Sequence, residues 1–389
     1  GWFDITDFQA ASNPITVELE AQHDPMVMIS GGFGTAFRAL DTGGSGAEVE
    51  ISSEEYGYYG VEKDSRLRDG FILPSGRTMY LGNQNMPTVI GVDMMTLSPS
   101  LSVNLDDGSG RGHVNSVVPS PDFTTMYALV TYGAHAAAAR PPGIDGSNIC
   151  FSGTCLSTAE KVDLVKLRVS DLMELGRVTL VSNSANGARA RKLSVSANGD
   201  VGAVALYREG TVAIVDMSAM TITRSVDVSA VGLLPKEVAI APSGDKTYVA
   251  FKDYNFSEGS FITHEISDGT LQVIDHATWS VTPLAPPTVA VGARPSFLQF
   301  SPDGKLYYGR KNLPMGDRLS VYDPTTMAWS TFSPQMLWPR GLTFSADGSR
   351  AYVFENNDVH IVDMASQTSM LQLSSQFDGW GHTTIVTTF

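Results

Sequence analysis

Charge is scarce in this chain. Asp, Glu, Lys and Arg make up 17% of its 389 residues, against about 25% in an ordinary globular domain. The charge present is unbalanced: 41 acidic residues face 26 Lys and Arg, a net charge of −15. Nucleic acid is held through a basic footprint that neutralises phosphates, so this balance speaks against such a partner and, less strongly, against an anionic membrane surface. No apolar run reaches the roughly 18 residues of a helical membrane span, so no transmembrane segment is expected. The opening residues, GWFDITDF, contain no legible leader peptide; a mature chain would open the same way, so nothing follows from it.

Cysteine is nearly absent. The two residues, Cys150 and Cys155, stand in CFSGTC. A zinc site wants about four ligands and no second Cys pair exists, so no metal is expected here. The short spacing with its Gly suits a local disulfide that pins a long loop; two free thiols are the alternative. A disulfide implies an oxidising compartment, and the expectation is an extracytoplasmic protein, periplasmic or secreted. The familiar chemical signatures are missing as well: no HExxH, no phosphate-binding GxxxxGK[ST] and no GxSxG elbow occur. The Gly-rich run Gly31 to Phe37 lacks the second GxxG spacing and the helix of a dinucleotide site. Asp106-Asp107-Gly108-Ser109-Gly110 is rich in oxygen ligands but lacks the D-x-D-x-D-G order of a calcium loop, so it reads as a loop first. No cofactor is identified.

Turn residues are plentiful, with 37 Gly and 20 Pro, and they punctuate a repeat. In the stretch Ala293 to Thr326 a run at Ser296 to Phe300 meets the turn Pro302-Asp303-Gly304. A second run follows at Leu306 to Gly309 and a third at Leu319 to Tyr322, closed by Asp323. Clear copies are PKEVAIAPSGDKTYVAF (Pro235 to Phe251), ARKLSVSANGDVGAVAL (Ala190 to Leu206) and PRGLTFSADGSRAYVF (Pro339 to Phe354). Worn copies begin at Arg68 and His113. The third run ends in Asp93, Asp216, Asp275, Asp323 and Asp363, where an Asp side chain can bond the backbone N–H groups of the following turn.

This pattern resembles the YVTN-type β-propeller repeat, in which a Pro-initiated inner strand runs into an SPDG turn, a YV strand and a V-x-V-D strand. Tyr248-Val249 and Tyr352-Val353 carry the YV piece. The resemblance covers roughly Arg66 to Leu373. It implies a propeller fold and a wider group that includes lactonase-like enzymes and the large chains of amine dehydrogenases. No catalytic motif of that group is recognisable, so no residue role is carried over.

A unit of about 45 residues suits one four-stranded blade. The expected fold is therefore all-β: a seven-bladed propeller forming a single domain over residues 1–389, with an eighth composite blade as the alternative. Insertions are expected at about 131–161 and 252–269. ITVELEA is read as the inner strand of the first blade, and the N- and C-terminal strands FDITDF and TTIVTTF are expected to pair and close the ring.

Counting eight residues back from each turn Gly gives Arg68, Arg191, Lys236 and Arg340, with Asn115 and Ser296 at the matching places. Two residues earlier stand Arg66, His113, Arg189 and Arg294, and His382 holds a similar place near the C-terminus. An acidic chain would thus gather cations around one axial mouth, a field suited to carboxylate, phosphate or sulfate. The structural alternative is pairing with acidic neighbours such as Asp69 and Glu237, or capping of strand carbonyls between blades. His276 and His360 read as structural. The functional expectation is a binding or scaffold protein that holds a protein partner or a small anionic ligand. The rival is an enzyme, either a lactonase-like hydrolase or the propeller subunit of an amine dehydrogenase-type assembly. Tyr56 to Tyr59, Tyr254 and Phe256 are candidates for an apolar contact patch.

Overall fold

The computed structural model describes residues 27–30, 37–40, 48–51, 67–83, 86–93, 98–108, 112–135, 150–151, 154–155, 157–182, 190–207, 209–229, 234–252, 269–290, 293–311, 313–314, 318–336, 339–345, 347–355, 358–374 and 385–386. Within them the chain makes six successive four-stranded antiparallel blades, each from one continuous stretch. Blade I holds Leu67–Ile72, Thr78–Asn83, Thr88–Asp93 and Ser98–Asn104. Blade II holds Gly112–Pro119, Thr125–His135, Ser157–Arg168 and Glu174–Ser182. Blade III holds Ala190–Val195, Val201–Leu206, Thr211–Asp216 and Thr221–Asp227. Blade IV holds Leu234–Ile240, Lys246–Lys252, Leu271–Asp275 and Val281–Leu284. Blade V holds Arg294–Phe300, Leu306–Lys311, Leu319–Asp323 and Ala328–Thr331. Blade VI holds Pro339–Phe344, Arg350–Glu355, Asp358–Asp363 and Thr368–Ser374.

The expectation of seven blades, with an eighth composite blade made from both termini as the alternative, is corrected here to six. The N-terminal stretch does not supply a blade of its own. Its strands Val27–Ser30, Phe37–Leu40 and Glu48–Ile51 share a sheet with Ile385–Val386 from the far end of the chain. Ile29 stands opposite Ile385 and Met28 opposite Val386. The place assigned to ITVELEA is thus taken by the last strand; ITVELEA and FDITDF lie outside the described residues. Ile385–Val386 touches the first strands of blades I and VI, so the N- and C-terminal parts of the chain do join in one sheet.

The second strand of each blade and the third strand of most are buried on both faces, as in Leu306–Lys311 and Thr88–Asp93, whereas the third strand of blade IV is half-buried and the fourth strands are largely exposed, as in Thr221–Asp227. A strand covered on both sides needs an unbroken apolar run, which is why YVAF and VAIVD recur. The core is divided among the seams between blades. One cluster joins blades I and II through Tyr80, Ile90, Val114 and Val165, another joins V and VI through Tyr307, Val321, Phe344 and Val353, and similar clusters fill the seams between. Each such side chain contributes about 1.5–3 kcal/mol of burial, and only to a neighbour already in place, so the blades stand as one body.

The turns follow their local chemistry. Asp216 accepts from Ser218 N and Ala219 N, Asp275 from Ala277 N and Thr278 N, and Asp323 from Thr325 N, at 2.8 to 3.0 Å. These bonds hold the carboxyl groups below the usual carboxylate range, the backbone bond to Ala219, Thr278 and Thr325 leading in each case. The repeated Asp is a turn residue. His276 is structural too: its Nδ1 donates to the Gly244 carbonyl at 2.8 Å, and its Nε2 meets Thr247 Oγ1 at 2.8 Å.

Candidate functional site at the axial mouth

The first strand of each blade touches the first strand of the next, from blade I to blade VI. These strands therefore line the axis. They begin at one face, the entry face, and the antiparallel order returns the second strand to it. Both insertions accordingly leave and rejoin at the entry face, between His135 and Ser157 and between Lys252 and Gly269. The blade II strands run further than expected: Thr125–His135 and Ser157–Arg168 pair out to His135 opposite Ser157, so part of the supposed insertion is sheet. A small ribbon within it sets Cys150 opposite Cys155. Their side chains lie outside the described residues, and no disulfide is described.

A β-bulge interrupts every one of these inner strands near its start. The extra residue is Asp69 in blade I, Asn115 in II, Lys236 in IV, Ser296 in V and Arg340 in VI; in blade III the irregularity takes in Arg191 and Lys192. A bulge leaves one residue out of the ladder and re-aims its side chain, which is why bulges gather at rims and active sites. The residues found by counting back from the turn Gly are thus largely the bulged ones. In blade I the count is off by one, because Arg68 is paired with Gly82 and Asp69 is the bulged residue.

The side chains divide into tied and untied. Asn115 is buried and donates from Nδ2 to Thr131 Oγ1 at 2.7 Å; His113 beside it is buried. Lys236 reaches across the seam, donating from Nζ to the Pro295 carbonyl at 2.6 Å, and also lies 3.3 Å from Glu237. This is the capping role between blades set out as the structural alternative. Burial pulls the Arg340 guanidinium down from its ordinary range. Arg191 lies over the Tyr207 ring, 5.3 Å from its centroid, and its Nε is a buried donor with no hydrogen-bond partner among the described residues. Ser296 Oγ is likewise buried without a partner among the described residues. Arg68 and Arg294 are described in their backbone only, and Arg66, Arg189 and His382 lie outside the described residues, as do Tyr56 to Tyr59, Tyr254 and Phe256. Away from the axis, His360 Nε2 meets Glu355 Oε2 at 3.2 Å, and Asp107 pairs with Lys161 at 3.2 Å, which ties that Asp-rich loop to blade II.

Sequence reasoning missed a polar group at the seam of blades I and II. Asp163 is fully buried, with Lys161 Nζ at 2.9 Å, Arg177 Nη1 at 3.1 Å and Thr179 Oγ1 at 2.8 Å. Arg177 also donates to the Tyr132 hydroxyl at 2.7 Å, and that hydroxyl donates to the Leu105 carbonyl of blade I's end at 2.6 Å. Asp163 sits within the apolar run VDLVKL, and a charged residue there was the only signal.

A closed succession of four-stranded blades with polar bulges around its axis defines a β-propeller. No protein-family model matches the chain, so membership of the YVTN-type family is not shown, and no curated protein matches it either. Solved structures resemble it in fold. Hydrazine synthase of Kuenenia stuttgartiensis superposes with a TM-score of 0.56 at 14% identity, over 85% of this chain and 90% of that one. A functionally unknown protein from Desulfotomaculum acetoxidans gives 0.58 at 10% identity, over 94% and 99%. The Cps50 (Swd1) β-propeller domain of Myceliophteria thermophila gives 0.51 at 12%, over 81% and 90%. At these identities the likeness is one of fold alone.

Proposed function

We propose that this protein is a binding or scaffold propeller whose entry-face mouth holds an anionic group, either a small ligand or the acidic side chain of a protein partner. The observation that carries this reading is the bulge set: Arg191 Nε and Ser296 Oγ are buried donors without partners among the described residues. An unmet buried donor costs about 1–3 kcal/mol, and a carboxylate or phosphate oxygen would meet it. Both insertions rejoin the ring at this face and give a partner more to grip. A chain of the mitotic checkpoint complex superposes with a TM-score of 0.54 at 10% identity, and a propeller within such an assembly fits a scaffold role. The opposed Cys150 and Cys155 favour a disulfide, and with it a periplasmic or secreted location. The second reading is an enzyme, a lactonase-like hydrolase or a propeller subunit of an amine dehydrogenase-type assembly; the likeness to hydrazine synthase favours it.

The test is thermal melting against citrate, phosphate, sulfate and lactones. A ligand at about a hundred times its Kd adds roughly 2.7 kcal/mol of stability. An anion-dependent rise that Arg191→Ala abolishes supports the mouth. Turnover of a lactone favours the enzyme. No shift with any anion refutes the ligand site.

A further inference from the structure

The opposite face carries a site of different chemistry. Between blades V and VI a cleft of about 400 Å³ opens, with Asp303, Lys305, Tyr307 and Asp347 in its lining. Blade V is where the repeat is irregular. In blades III, IV and VI the hairpin turn closes with Ser196, Ala241 and Ser345 N–H groups bonded to carbonyls five residues on, at Val201, Lys246 and Arg350. In blade V, Ser301 N donates to the Lys305 carbonyl only four residues on, so one residue is missing. Elsewhere the carbonyl of the extra residue accepts from the turn after the third strand: Met217 N to Asp200 O, His276 N to Asp245 O and Met364 N to Ser349 O, each 2.9 Å. The blade V counterpart of those donors is Pro324, which has no N–H. The deletion and the proline thus match each other, and the shortened turn forms one wall of the cleft.

Tyr307 is 2% exposed and lines the cleft. Its ring is fixed by edge contacts with Phe332 and Phe344, with centroids 5.7 and 5.1 Å away. Its hydroxyl has no hydrogen-bond partner among the described residues, whereas the corresponding Tyr80 hydroxyl in blade I donates to the Val169 carbonyl at 2.6 Å. Tyr307 lines the cleft, so its hydroxyl is the polar atom that the inner wall offers to an occupant. The rim is acidic. Among the described residues the bonds to Asp347 fall on Oδ1, from Ser345 Oγ at 2.6 Å, Ser349 N at 2.9 Å and Ser349 Oγ at 2.8 Å, and none falls on Oδ2. Asp303 is bonded by Ser301 Oγ and, through Oδ2, by Lys305 Nζ at 2.7 Å. Two carboxylates against one ammonium leave one negative charge to be met. Val321 and Met364 add apolar wall.

We propose that this cleft binds a single ammonium or guanidinium group on an apolar stem, with Asp347 and Asp303 holding the cation and the Tyr307 hydroxyl meeting a polar atom of the ligand. The size fits: pockets for small ligands begin at about 300 Å³. The site lies away from the axial mouth and stands whether or not the mouth binds anions.

The experiment is calorimetric titration of the whole protein with butylguanidine and butylamine, with butanol and butyrate as controls, and with a short peptide carrying one Arg. Both cations are expected to bind and the controls not. Asp347→Asn, whose Oδ1 can keep the turn bonds, is expected to weaken binding at least about tenfold. Tyr307→Phe removes a hydroxyl with no partner among the described residues, so it is expected to weaken binding several-fold while the melting temperature holds. Tighter binding of the peptide than of butylguanidine assigns the cation to a partner protein, and the reverse order to a free small cation. Absence of cation binding at about 10 mM, equal binding of butanol, or unchanged affinity in both variants overturns the proposal.

Discussion

Replacing Asp163 with Ala removes the one carboxylate that holds Lys161, Arg177 and Thr179 together at the seam of blades I and II. Asp163 is wholly buried, and its partners stand at 2.9, 3.1 and 2.8 Å. Breaking a buried pair by removing one partner costs about 3–5 kcal/mol, because the surviving charge is left uncompensated. Here the survivors have other partners. Arg177 keeps Glu174 at 2.7 Å and the Tyr132 hydroxyl, and Lys161 keeps Asp107 at 3.2 Å. Both are also partly open to water, at 23% and 29% side-chain exposure, so the lower end of the range, about 3 kcal/mol, is expected. Asp163→Asn can keep the bond from Thr179 and should lose about half as much. With about 2.1 cal/mol/K of unfolding entropy per residue, a chain of this length shifts by little more than 1 °C per kcal/mol, so Asp163→Ala should melt about 4 °C lower. Urea unfolding followed by circular dichroism, together with a melt, measures both. A double-mutant cycle with Arg177→Met should show a coupling of about 1 kcal/mol or more. A loss below about 1 kcal/mol for Asp163→Ala, with no coupling, would refute the view that this carboxylate ties the seam.

Two further outcomes follow from the turns. Met327 is 77% exposed and holds φ at 56°, a left-handed conformation that strains an L-residue by about 1–2 kcal/mol; Met327→Gly should therefore raise stability by about 1 kcal/mol in urea, and a loss would show that the side chain contributes more than its strain removes. The turn carboxylates set the acid response. Ser345 and Ser349 hold Asp347 down to about 2, while Asp216, Asp275, Asp323 and Asp363 are lowered by bonds led by Ala219, Thr278, Thr325 and Ser366. A free Asp titrates near 3.9, so this stabilisation is fully present above about pH 5 and is lost as pH falls through the lowered folded values. The melting temperature should hold from about pH 7 to 5 and fall between about 4 and 2; a drop centred near pH 6 would point to histidine instead.

Much of the fold was legible because it is written in short-range chemistry. A Gly or Pro turn, the apolar run Val212 to Val215 and the closing Asp216 each act over a few residues, and the six continuous blades consist of such pieces. The ring's joint was not legible in that way: the pairing of Ile29 with Ile385 depends on both ends of the chain arriving at one place, and no local signal prefers Ile385 over ITVELEA. The mouth was half legible. Counting from the turn Gly finds Arg191, Lys236 and Arg340, since hairpin register is set by the turn. Which side chain leaves the ladder is decided by the pairing itself, and so Asp69 takes the place expected of Arg68. The cleft had a signal in the spacing: SPDGKL is one residue shorter than SADGSRA, and Pro324 follows the strand-closing Asp323.

The sequence by itself determined the repeat, the turns and the two-sided burial of the central strands, because these depend on residue type and on neighbours a few positions away. Only the tertiary structure decided which polar atoms were left without partners. Whether Lys236 finds the Pro295 carbonyl, whether the Tyr132 hydroxyl finds the Leu105 carbonyl, and whether the hydroxyl of Tyr307 meets anything at all depend on the blade that stacks alongside, which the blade's own residues do not specify.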